Sequence, residues 1–143
     1  MLKILAGLVA GLVVALAAIY VIWLVGLQIY PLPPESGQGS LESEGALIQA
    51  MPTGAQAFIA LAWLGGAFVG GLTAVQISRR YWPGWIIAAL VAFISISNIV
   101  MFPHPEWMQI AAVIVPVIGG LLATHWARRS LRTPLLADAA ADA

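Results

Sequence analysis

Along this chain, long apolar stretches alternate with short polar breaks, and the positions of the breaks predict its elements. Ile4–Leu27 carries no charge and is long enough to cross a hydrocarbon core of about 30 Å. Three further stretches follow, at about 54–78, 85–101 and 106–127, so four spanning helices are expected. Arg79 and Arg80 end the second, and Tyr81-Trp82-Pro83-Gly84 reads as a tight turn with aromatic interface anchors. Phe102-Pro103-His104-Pro105 separates the third from the fourth. The only long connection is 28–53, where Pro31, Pro33 and Pro34 stop the first helix. Within it Leu41, Leu47, Ile48 and Met51 share one side of a short helix. That helix would start near Ser40, end at Pro52 and lie along the membrane surface. Residues 128–143 read as a polar, disordered tail.

Composition narrows the class. Of 143 residues, 62% are hydrophobic and 8% charged, so the apolar excess has to face lipid. The fold class is therefore all-α, an integral membrane bundle in a single domain over 1–127. Zero net charge gives no sign of a nucleic-acid partner, and the absence of cysteine excludes thiol catalysis, disulfides and Cys-ligated metals. Lys3 and Ala15-Leu16-Ala17 look like parts of a signal peptide. The apolar run nevertheless continues ten positions past Ala17, through Tyr20 and Trp23, so an uncleaved signal anchor is expected. The six basic residues are Lys3, Arg79, Arg80, Arg128, Arg129 and Arg132. All fall at the same end of the expected bundle, which puts both termini in the cytoplasm and the two other connections outside.

The small residues sort by helical angle. On the first helix Gly7, Gly11, Ala15 and Ala18 share one side; Leu5, Leu8, Leu12, Leu16, Ile19 and Trp23 fall opposite, toward lipid. The second helix contains two glycine pairs, Gly65-Gly66 and Gly70-Gly71. Leu61, Leu64, Phe68, Leu72 and Val75 make its bulky lipid stripe. Ala62, Gly66, Gly70 and Thr73 lie round to one flank, and Ala60, Ala67, Gly71 and Ala74 round to the other. Close backbone approach drives association in lipid, so two small flanks predict two close partners, with Trp63 between the flanks. On the fourth helix Ala112, Pro116, Gly119, Gly120, Ala123 and Ala127 form a matching side. Pro116 cannot bond to the Ala112 carbonyl, which then needs another donor or water.

Candidate chemistry is sparse. Gln56, Asn98, His104, Glu106 and Gln109 come to one depth and could line an outward-facing polar pocket, with Ser95 nearby and His104 as proton acceptor or metal ligand. A simpler reading makes Pro103 and Pro105 a rigid turn braced by His104, with Glu106 favoured by the helix dipole. Asn98 and Ser95 would then be interhelical hydrogen-bond partners. His104 and His125 stand about 30 Å apart along the fourth helix and cannot clamp one haem iron. No carboxylate lies within any span, which disfavours proton-coupled export of the small multidrug type. No internal repeat is visible.

Tyr30-Pro-Leu-Pro-Pro34, Pro52 ahead of the glycine-paired helix, and Pro103-His-Pro-x-Trp107 are short motifs spread over most of the chain. With them the chain resembles a group of small uncharacterised bacterial four-helix inner-membrane proteins. The resemblance implies a multi-pass protein of the bacterial inner membrane and carries over no functional residue. The expectation is a non-enzymatic scaffold or partner subunit, without cofactor. Its partners would be the lipid bilayer and another membrane protein or itself. One alternative is an oligomeric transporter or channel subunit working through the outer pocket. The other is an enzyme acting on a lipid or quinone, with His104 as base and Glu106 orienting it.

Overall fold

The computed structural model describes residues 1–32 and 41–141, with side chains for 1–32 and 45–130. Pro33, Pro34, Glu35 and Ser40, and the side chain of Leu41, on which parts of the sequence reading rest, lie outside these. The chain is all-α, with five helices: α1 (Leu2–Ile29), α2 (Leu41–Ala50), α3 (Thr53–Ser78), α4 (Trp82–Met101) and α5 (Glu106–Ala141). Four of them, α1, α3, α4 and α5, are long and apolar enough to cross a membrane. They run up, down, up and down. α3 touches all three other spanning helices and α4 touches α1 and α5, so α1 and α5 flank a central α3–α4 pair.

The short α2 forms where expected and stops just before Pro52. Two limits differ from the sequence reading. α4 begins at Trp82, because Pro83 falls in a first turn where no N–H is needed. Arg79 alone reverses the chain, with φ 57° and ψ 25° in the left-handed region. α5 does not stop at Ala127 but continues to Ala141, so the expected disordered tail is helical in the described part.

Glycine sets the packing of α1 on α3. A Cβ on Gly11 would come within 2.8 Å of the Gly70 carbonyl oxygen, and one on Gly70 within 2.6 Å of the Gly11 carbonyl oxygen. The two backbones therefore meet directly, a contact that any side chain would part. Gly66 faces Ile19 and Ala15 on α1, while Gly71 faces Ala123 on α5 and Gly84 on α4. Within the second pair Gly70 thus serves α1 and Gly71 serves α4 and α5, whereas both glycines of the first pair, Gly65 and Gly66, face α1. Ala112, Pro116, Gly119, Gly120, Ala123 and Ala127 are all buried, as the small side of α5 requires.

The expected lipid stripes need correction. Val75 is fully buried, because Gly84 on α4 leaves a notch that its side chain fills. Leu8, Leu12 and Ile19 are not turned to lipid but pack on the core beside Ala15, Ala67 and Ala74. Leu5, Leu16, Trp23 and Leu61 are exposed as expected.

Candidate functional site

Among the described residues, the polar side chains expected at one outer pocket line none of the described cavities, and the hydrogen bond that links two of them runs from Gln109 to the His104 carbonyl. Gln56 is buried at the start of α3, and its Nε2 donates to the carbonyls of Ile48 (3.1 Å) and Met51 (3.3 Å). Its task is to cap the end of α2 and hold that helix to α3. Gln109 is exposed, and its Nε2 donates to the His104 carbonyl at 3.2 Å, bracing the α4–α5 turn. Glu106 is exposed in the first turn of α5, where the helix dipole favours a carboxylate. Asn98 is half-buried one turn from the end of α4; its carbonyl accepts the cap bond from Phe102 N–H at 3.0 Å.

His104 is the exception. It is 4% exposed, and its Nδ1 lies 2.6 Å from the Phe102 carbonyl oxygen. A carbonyl only accepts, so Nδ1 carries the hydrogen and Nε2 of the neutral ring is left as an acceptor. Nε2 is buried and has no hydrogen-bond partner among the described residues. What orients the ring is the Phe102 carbonyl; no hydrogen bond from Glu106 to it is found among the described residues. Close by, the Gly45 backbone of α2 lies directly against the Pro103 ring, so α2 covers the turn that bears His104. Sequence reasoning grouped His104 with its polar neighbours by depth. Its burial depends on where α2 docks, which no local pattern encodes. His125 is exposed on α5 at the opposite end of the span.

Ser95 has a different role from the one the pocket gave it. Its Oγ is fully buried and donates to the Ala112 carbonyl at 2.7 Å, with the Ala92 carbonyl at 2.9 Å sharing the same proton. Ala112 is the carbonyl that Pro116 leaves without a helical donor. A hydroxyl on α4 thus supplies the hydrogen bond missing from α5, and it joins the two helices in doing so. Three other hydroxyls of the spans are satisfied within their own helices. Thr73 donates to Val69, Ser97 to Phe93 and Thr124 to Gly120, at 2.8 to 2.9 Å.

The described cavities lie at the ends of the bundle. At the end that carries α2 an apolar cleft of about 390 Å³ opens between Tyr30, Leu32, Leu47, Met51 and Ala55. At the other end two cavities meet at Trp82, one polar and one apolar. No group of three or more His, Cys, Asp or Glu that could hold a metal occurs among the described residues. The chain matches no family model, no curated protein and no solved structure.

Proposed function

We propose that the protein is a non-enzymatic membrane component that acts through its surface, as a scaffold or as a partner subunit for another membrane protein or for copies of itself. The observation that supports this reading is the filling of the bundle axis. Around α3 the core positions are glycine, alanine, valine, isoleucine, methionine and tryptophan in contact, and the buried hydroxyls of Ser95 and Thr124 are spent on backbone carbonyls. Transport or catalysis calls for a cavity with convergent polar groups. The polar side chains here are instead used one by one to brace turns and helix ends.

The setting we propose is a bacterial inner membrane with both termini cytoplasmic. Lys3, Arg79, Arg80 and Arg128 gather at one end of the bundle, which supports that orientation. The resemblance of the proline-rich loops supports the bacterial setting.

The buried Nε2 of His104, without a hydrogen-bond partner among the described residues, favours a second reading, an oligomeric transporter or channel subunit that uses this acceptor at its outer mouth. Complementation of a deletion strain separates the two. A scaffold predicts that His104→Ala and Glu106→Gln complement fully, while Gly66→Leu, which forces α1 away from α3, does not. A His104→Ala protein that is folded and present in membranes yet fails to complement would overturn the scaffold reading.

A further inference from the structure

At the basic end of the bundle a charged cup and an apolar groove share one wall. The cup, about 570 Å³, is lined by Ser78, Arg79, Arg80, Tyr81 and Trp82. Its backbone is held in place locally. Ser78 Oγ donates to the Arg80 carbonyl at 3.2 Å, and the left-handed Arg79 turns the chain there. Neither the Arg79 nor the Arg80 guanidinium has a hydrogen-bond or ion-pair partner among the described residues. Glu106, the only carboxylate among the described side chains, sits at the opposite end of the bundle. Among the described side chains the charge at the cup is therefore positive, and Lys3 and Arg128 add to it. Arg128 is fixed over the Tyr81 ring at 5.2 Å.

The groove, about 490 Å³, is lined by Met1, Leu2, Ile4, Leu5, Leu8 and Trp82. It begins beside the cup because α1 starts there, with Gly7 packed against Ser78. From the cup it follows the first two turns of α1 into the depth of the span. A cationic cup at the interface with an apolar groove running inward has the two-part chemistry of an anionic lipid.

We propose that this end of the molecule is a binding site for an anionic glycerophospholipid, whose phosphate lies in the Arg79–Arg80 cup and whose acyl chain lies along Leu5 and Leu8, with Trp82 at the junction. Charge complementarity selects the headgroup, since basic side chains near a membrane surface attract anionic lipid. The groove selects a lipid over a free phosphate. The site does not depend on whether the protein is a scaffold, and it survives if that reading fails.

Native mass spectrometry of the full chain in mild detergent, titrated with dioleoylphosphatidylglycerol, dioleoylphosphatidylcholine or inorganic phosphate, tests this. Phosphatidylglycerol is expected to bind on the order of tenfold more tightly than phosphatidylcholine, with inorganic phosphate neither binding nor competing. Arg79→Gln with Arg80→Gln should remove the preference, and Arg79→Lys with Arg80→Lys should keep most of it. Leu5→Trp, which fills the groove, should weaken both lipids and leave the headgroup preference intact. In the unaltered protein, high salt should shrink the preference, a measurement that needs no variant to fold. Equal affinity for the two lipids, a preference that survives the Gln pair or high salt, or phosphate competing as well as lipid would each overturn the proposal.

Discussion

At the scale of single residues, the pair that best shows cause and effect is Pro116 and Ser95. Proline removes a hydrogen bond from α5, and in lipid no solvent replaces it. Ser95 supplies a donor from the neighbouring helix at 2.7 Å. Ser95→Ala should destabilise the bundle by about 1 kcal/mol, measured by unfolding in mixed micelles. In a Pro116→Ala background the Ala112 carbonyl regains its own helical donor, so the same Ser95→Ala change should cost much less. Equal costs in the two backgrounds would show that the hydroxyl does not serve that carbonyl. Half of this arrangement is legible in the sequence, because a proline inside a span announces a carbonyl in need. Ser95 reads from sequence as an interhelical hydrogen-bond partner, but which carbonyl it serves is not legible, since that depends on the register of α4 against α5.

At the scale of elements, the four spans follow from hydropathy and the small faces from helical angle, and most of the expected contacts of α3 are present. The departures share a cause. Val75, Leu8, Leu12 and Ile19 are bulky, and angle alone assigned them to lipid. Val75 and Ile19 are buried, wholly or in part, because a facing glycine makes room, Gly84 for Val75 and Gly66 for Ile19, while Leu8 and Leu12 pack on the edge of the same core. Sequence shows where small residues lie on one helix but not which large residue of another enters the gap. The two glycines of the second pair in α3 should therefore respond differently to alanine. At Gly70 a Cβ meets Ala15 at 2.5 Å and the Gly11 backbone at 2.6 Å, so the helices have to part, at a cost of about 1–3 kcal/mol. At Gly71 the nearest atom is the Ala123 Cβ at 3.2 Å, and the gain in helix propensity offsets a small adjustment. Gly70→Ala should unfold well before Gly71→Ala in a denaturant series; the reverse order would mean that α1 is not seated on α3 as described. The short α2 depends on Gln56 in a comparable way. Gln56→Leu should raise amide hydrogen exchange across 45–51 while leaving the spans protected, and unchanged exchange there would remove Gln56 as its tether.

At the scale of the whole molecule, the organising feature is α3, whose glycines are spent on contacts with the other spanning helices of its own chain. The polar groups that looked like a pocket in the sequence are dispersed over turns and caps. Depth in the membrane was legible from position along each span, whereas convergence depends on how the helices rotate about their axes. Orientation can be read directly, because the chain has no native cysteine to interfere. Cysteine at Gln49 should react with an impermeant maleimide in intact cells and cysteine at Ser130 only after permeabilisation; the opposite pattern would invert the topology. The central claim is that the axis around α3 is dry and closed. Cysteines placed singly at Ala67, Ala74, Ala112 and Ala123, all fully buried, test it in native membranes with a small hydrophilic methanethiosulfonate. The closed bundle predicts no modification at any of the four, with Gln49 and Ser130 as reactive controls. Labelling at successive depths along that series would reveal a water-filled path and contradict the account.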